Sequence, residues 1–165
     1  YSSTLRGLMD EHQVEPIRFL EYVHDIDYSV LEPCKKLKLA LRNLPGRKLI
    51  YTNGSNQHAA NILKRLGIEN YVEAIFDIVD AEYLPKPDPR PLSKLLEVHH
   101  ILPEQSLFAE DMVKNLEPAA LLGMTTLWVE TNNMWASRGN MNHVHYKTDN
   151  LANWLYLFCL GLSKN

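Results

Sequence analysis

Apolar residues recur along this chain first at helical spacing and then in short runs separated by helical stretches. The opening segment TLRGLMDEH predicts a helix, and the break at Val14-Glu15-Pro16 leads into a second, IRFLEYVHDID. There Ile17, Leu20 and Val23 share one face, as an amphipathic helix requires. Pro33 restarts the chain. In EPCKKLKLALRNL, residues Leu37, Ala40, Leu41 and Leu44 line one face, and Pro45-Gly46 supplies a stop.

Beyond that point strands and helices alternate. The pattern predicts strands at 48–51, 74–79, 106–109 and 125–129, with an edge strand at 143–148. Helices are expected at 56–66, 90–99, 116–122 and 151–160, with Gly67 and Gly123 closing two of them. Strands alternating with helices of about ten residues predict an α/β fold: a Rossmann-like parallel sheet flanked by helices. The helical opening stands outside that rhythm and is expected to form a separate layer, a cap.

Composition narrows the function classes. At 165 residues, with 45% hydrophobic and 22% charged, the chain suits one core with a small appendage. A net charge of -3 offers no basic stripe for nucleic acid. Cys34 and Cys159 are far apart and form no CxxC, so a reducing compartment, the cytoplasm, is expected. No stretch reaches the ~20 apolar residues that span a bilayer. Leu155 to Leu162 is too short and contains Gly161. The sequence opens on Tyr1 with no signal-peptide pattern. Oligomeric state is not legible.

Ligands of an open parallel sheet bind beyond the carboxyl ends of its strands, so the residues after each strand carry the functional argument. Thr52-Asn53-Gly54-Ser55 follows the first strand and enters a helix, a natural seat for an anion, or a simple N-cap by Ser55 or Asn56. After the second strand, Lys86 stands among Pro85, Pro87 and Pro89, which restrict its direction; it is a point charge for a phosphate or carboxylate, or a solvated loop lysine. After the third come Glu110 and Asp111, whose repulsion calls for a positive partner, with Mg²⁺ the natural hard cation. Asn115 returns toward the same place, and the alternative is helix capping by Asp111. Taken together, a hydroxyl, a lysine and an acidic pair after successive strands predict one pocket for an anion and a cation, as phosphoryl transfer requires.

These residues, in this order, resemble the haloacid dehalogenase superfamily. Thr52 of YTNGS looks like its second motif, Lys86 of PKP its third, and AEDMVKN its fourth. TLRGLMDEH, YVHDIDY, LPGRK with YTNGS, and LGMTTLWVE are similar to the pyrimidine 5′-nucleotidase-like branch. The resemblance implies a Mg²⁺-dependent phosphomonoester hydrolase working through an aspartyl-phosphate, with a small phosphorylated metabolite such as a nucleoside monophosphate as substrate. Thr52 would then hydrogen-bond a phosphoryl oxygen and Lys86 would neutralise nucleophile and phosphate. Asp111 would bind Mg²⁺, and Glu110 would ligate it through water or support it; the family has Asp or Gly at the Glu110 position. Asn53 and Gly54 would support the phosphate loop, and Arg6 is a substrate contact or a cap-surface ion-pair partner. Residues 1–31 would be the C-terminal part of a helical cap, and 32–165 a core lacking its first strand.

The family's DxDx[TS] nucleophile motif is expected upstream of Tyr1, which would leave this chain alone inactive. Asp25-Ile26-Asp27-Tyr28-Ser29 imitates the motif, but helical spacing precedes it and Glu21 and His24 would interrupt a buried strand, so a polar helix end is expected. A truncated copy that binds phosphate or metal without turnover is the alternative function. A receiver domain is disfavoured because its acidic pair comes first in the chain and its lysine last. His99-His100 and His143 with His145 lack the spacing of a zinc site.

Overall fold

The computed structural model describes residues 3–162. These form two compact units, one from the chain up to Pro85 with the stretch from Leu155, the other from Lys86–Trp154.

In the first unit α1 (Thr4–His12) packs beside α2 (Pro16–His24). Ser3 caps α1 by accepting from the Arg6 amide, and Glu15 caps α2 through the amides of Ile17 and Arg18. α3 (Lys35–Asn43) leads to β1 (Leu49–Tyr51), and α4 (Asn56–Leu66) follows. Gly67, at φ +67, closes α4 in the left-handed conformation that glycine adopts without a Cβ clash. β1 pairs in parallel with β2 (Ala74–Phe76), Leu49 opposite Ala74 and Tyr51 opposite Phe76. Leu5, Leu20, Ala40, Leu63, Phe76 and Ile78 are buried here. Cys159, from α7 (Leu151–Leu162), is buried with its thiol directed at the Ala40 carbonyl, and neither Cys34 nor Cys159 is in a disulfide.

The strand expected over 74–79 ends at Phe76. Asp77 turns the chain there, its carboxylate accepting from the amides of Val79 at 2.8 Å and Asp80 at 3.0 Å. A side chain that bonds its own downstream backbone competes with the sheet ladder and wins at this point.

The second unit contains α5 (Pro89–Val98), β3 (Leu107–Glu110), α6 (Val113–Leu121), β4 (Thr125–Val129) and β5 (Tyr146–Thr148). β4 is central: it pairs in parallel with β3 (Glu110 opposite Trp128) and with β5 (Leu127 opposite Tyr146). Val113, Leu116 and Trp128 form its buried centre, with Phe108 and Val144 against them. α6 begins three residues earlier than its periodicity predicts, because Val113 is fully buried and belongs to the packed face.

The α/β class is as expected, with parallel strands flanked by helices. The ladders, however, form two sheets, β1-β2 and β3-β4-β5, where periodicity predicts a single one. Among the described residues β1 and β3 each have one strand partner. Asp25 and Asp27 lie at a helix end: Asp25 follows α2, and Asp27 caps a 3₁₀ turn through the Ser29 amide and hydroxyl. No helix among the described residues is long and apolar enough to cross a membrane.

Candidate active site

In the second unit, three of the polar residues singled out in the sequence come together. Glu110 closes β3 and is buried, and Lys86 Nζ donates to its Oε2 at 2.5 Å. The other oxygen, Oε1, accepts from Asn115 Nδ2 at 3.0 Å and from the Met112 amide at 3.3 Å. Burial pushes the Glu110 carboxyl up, but the Lys86 charge and the hydrogen bonds around it outweigh burial and hold it below its ordinary value. The positive charge that the acidic pair calls for is therefore supplied to Glu110 by Lys86.

Asp111 is the opposite case. It is exposed by comparison, yet partial burial, followed by the bond to and charge of Glu110, raises its carboxyl above the ordinary value. Of the two adjacent carboxyls, Asp111 is therefore the one with the raised proton affinity, and Glu110 the one held ionised by its partners. Asp111 does not cap α6: the cap position is Met112, and no side-chain cap bond forms there. Instead the Asp111 carbonyl accepts from Trp128 Nε1 at 2.9 Å, which ties the turn to the central strand.

A hard divalent cation takes oxygen ligands. Asp111 is a carboxylate left facing outward, and Asn115 Oδ1, buried beside Glu110, has no hydrogen-bond partner. An orphaned acceptor is costly unless a donor or cation completes it. These residues fit part of a magnesium shell. Among the described residues no group of three or more His, Cys, Asp or Glu side chains is placed to hold an ion.

Thr52, Asn53 and Gly54 lie in the first unit, directly after β1. The Thr52 amide continues the ladder to the Phe76 carbonyl at 3.0 Å, and its Oγ1 accepts from the Gly54 amide at 3.0 Å. That leaves the threonine hydroxyl hydrogen to seek another acceptor. Ser55 caps α4 through the His58 amide, and buried Asp77 accepts from the Asn56 amide at 2.7 Å. The N-cap alternative thus holds for Ser55. Several amides of this loop are satisfied internally, which narrows the anion seat to fewer donors than the sequence suggests. Arg6 is bound along α1 to Asp10 at 2.7 Å, the ion-pair arrangement of residues one turn apart.

The chain belongs to the family of haloacid dehalogenase-like hydrolases, whose family model matches residues 2–129. Among solved structures it is similar to the L-2-haloacid dehalogenase of Xanthobacter autotrophicus, with 18% identity, a TM-score of 0.63, and 79% of this chain and 62% of that one covered. It is also similar to a HAD phosphatase from Thermococcus onnurineus, with 17% identity, a TM-score of 0.61, and 93% and 86% covered. A HAD family hydrolase from Deinococcus radiodurans R1, with bound phosphate and sodium, aligns at 18% identity and a TM-score of 0.61, covering 91% and 71%. The chain spans about three-fifths of the length of the Xanthobacter enzyme.

Proposed function

We propose that this chain is the greater part of a Mg²⁺-dependent phosphomonoester hydrolase acting on a small phosphorylated metabolite, a pyrimidine nucleoside 5′-monophosphate by resemblance, in the cytoplasm. The observation that carries the reading is the Lys86–Glu110 pair beside Asp111 at the end of β3. It combines an ammonium, a committed carboxylate and a second carboxylate of raised proton affinity. The neighbours named as a phosphatase and as a phosphate complex support it.

In this reading Thr52 donates its hydroxyl hydrogen to a phosphoryl oxygen, with Asn53 and Gly54 shaping the loop. Lys86, oriented by Glu110, neutralises charge on the phosphoryl group. Asp111 would hold Mg²⁺, with Glu110 and Asn115 in support, and the bound ion would supply charge neutralisation for the phosphoryl oxygens. The attacking aspartate is expected on a segment before Tyr1: a carboxylate oxygen bonds to phosphorus, the ester oxygen leaves and takes a proton, and water then releases phosphate. No described strand is followed by a DxDx[TS] motif. Arg6 contacts substrate only by exchanging its bond to Asp10.

The test is Mg²⁺-dependent phosphate release from UMP, CMP and a nitrophenyl phosphate, run beside halide release from a 2-chloro acid. Phosphate release by the protein with its upstream segment, lost in Asp111→Ala, is the expected result. Halide release alone would replace the reading with a dehalogenase. Robust phosphate release from residues 1–165 by themselves would instead make Asp25 the nucleophile.

A further inference from the structure

Two histidines used by nothing above are stacked next to the Thr52 loop. His24, the last residue of α2, and His58, in the first turn of α4, lie with ring centroids 4.0 Å apart and planes 12° from parallel. Each ring is oriented through Nδ1: His24 by Ser55 Oγ at 3.0 Å, His58 by the Tyr28 hydroxyl at 2.9 Å. Tyr28 gives its one hydroxyl hydrogen to the His24 carbonyl at 3.0 Å, so its oxygen receives the His58 Nδ1–H. The Nε2 atoms remain for other work.

Gly54 shows where the His24 Nε2 stands. A Cβ at that glycine would lie 3.4 Å from His24 Nε2, 3.4 Å from Thr52 Oγ1 and 3.3 Å from His58 Cδ2. Imidazole nitrogen and threonine hydroxyl therefore flank the same face of one glycine, which is left bare for them. Gly54 has no positive φ, and a Cβ there would be slightly tight against His58 Cδ2 and in contact with the other two atoms. Both rings are only partly buried, so a ligand can reach them.

We infer that His24 is a substrate contact of the Thr52 loop, donating from Nε2 to an oxygen of a bound phosphate monoester, with Ser55, His58 and Tyr28 as the residues that position it. This rests on the proposed function, because the phosphate is the ligand that Thr52 is taken to bind. The helix α2 thereby contributes a donor to the phosphate loop. Burial, and for His24 the neighbouring His58, lowers the proton affinity of both rings, so the free pair is neutral near pH 7 and accommodates an anion as one more hydrogen-bond acceptor.

The experiment is calorimetric titration of the protein with its upstream segment by inorganic phosphate in the presence of Mg²⁺, together with ¹H–¹⁵N spectra of its histidine side chains. His24→Phe keeps the stack on His58 and removes the donor; His24→Gln places an amide nitrogen near Nε2; Thr52→Val tests the loop itself. Expected are an affinity loss of about tenfold in His24→Phe, recovery to within about threefold of the parent in His24→Gln, and a shift of the His24 Nε2 signal on phosphate addition. Loss of binding in Thr52→Val with unchanged binding in His24→Phe overturns this inference and leaves the proposed function standing. Should either histidine variant fail to fold, the parent spectra decide: phosphate binding that leaves the His24 signal unmoved overturns the inference as well. Unchanged binding in Thr52→Val, or no phosphate binding by the protein with its upstream segment, removes the proposed function and this contact with it.

Discussion

Lys86 and Glu110 form a nearly buried ion pair, Nζ to Oε2 at 2.5 Å, with 12% and 7% of their side-chain surfaces exposed. Such a pair is weak support for stability as a whole, but breaking it is costly because one charge stays buried alone. Lys86→Met is therefore expected to lower unfolding stability by about 3 kcal/mol, while Lys86→Met with Glu110→Leu loses much less. Urea unfolding of these variants and of Glu110→Leu alone checks this. Losses in Lys86→Met and Glu110→Leu alone that simply add in the double variant would show that the pair is not coupled.

Asp77 deserves a parallel test, because a buried carboxylate holds the loop around Thr52 in place. It is 5% exposed and accepts from the amides of Asn56, Val79 and Asp80. Asp77→Ala leaves three donors short of an acceptor and is expected to cost about 2 kcal/mol or more. Asp77→Asn retains one oxygen acceptor but turns an amide NH₂ toward a neighbouring N–H, so it falls between. Thermal melts rank the three proteins; an alanine variant as stable as the parent refutes the role.

Much of this is legible in the sequence. α1, α4 and β4 have the limits their periodicity and stop signals predict, because capping and glycine closure are local events. Three polar residues chosen by strand position, Lys86, Glu110 and Asn115, do meet. What stayed hidden is non-local. Period says which face of a strand is buried and nothing about its partner, so the division into two sheets was not legible. Asp77 was hidden inside AIFDIV, where its apolar neighbours masked its turn-forming side chain. His24 and His58 meet through folding of α2 beside α4's first turn, and no sequence spacing couples them.

The histidine stack also makes stability depend on pH. Both rings have a native proton affinity lowered from the ordinary value of 6.5, mainly by burial. The unfolded chain thus binds more protons below pH 6.5, and stability falls as pH drops from 6.5 through the native values. Above 6.5 both states are neutral and the contribution is flat. Replacing His24 by Phe should flatten the slope below pH 6.5, measured by urea unfolding across that window. A slope unchanged by the substitution would assign the dependence to other groups.

Asp111 yields the opposite sign and, under the proposed function, links stability to metal. Its native carboxyl is raised above 3.8, chiefly by desolvation and then by Glu110, so ionised Asp111 is a cost that disappears as pH falls toward 3.8. Glu110, held low by Lys86, is a gain that is lost as pH falls through its native value. Asp111→Asn removes the first without the second. Because Asp111 is largely solvated, the expected gain at pH 7 is only a few tenths of a kcal/mol. Under the proposed function Mg²⁺ reverses the ranking: an ion held by the Asp111 carboxylate of the folded parent would raise its melting temperature by mass action. The asparagine variant, neutral at that position, should show little response. A variant that is no more stable than the parent without metal, and equally stabilised by Mg²⁺, would take Asp111 out of both the repulsion and the ligand shell.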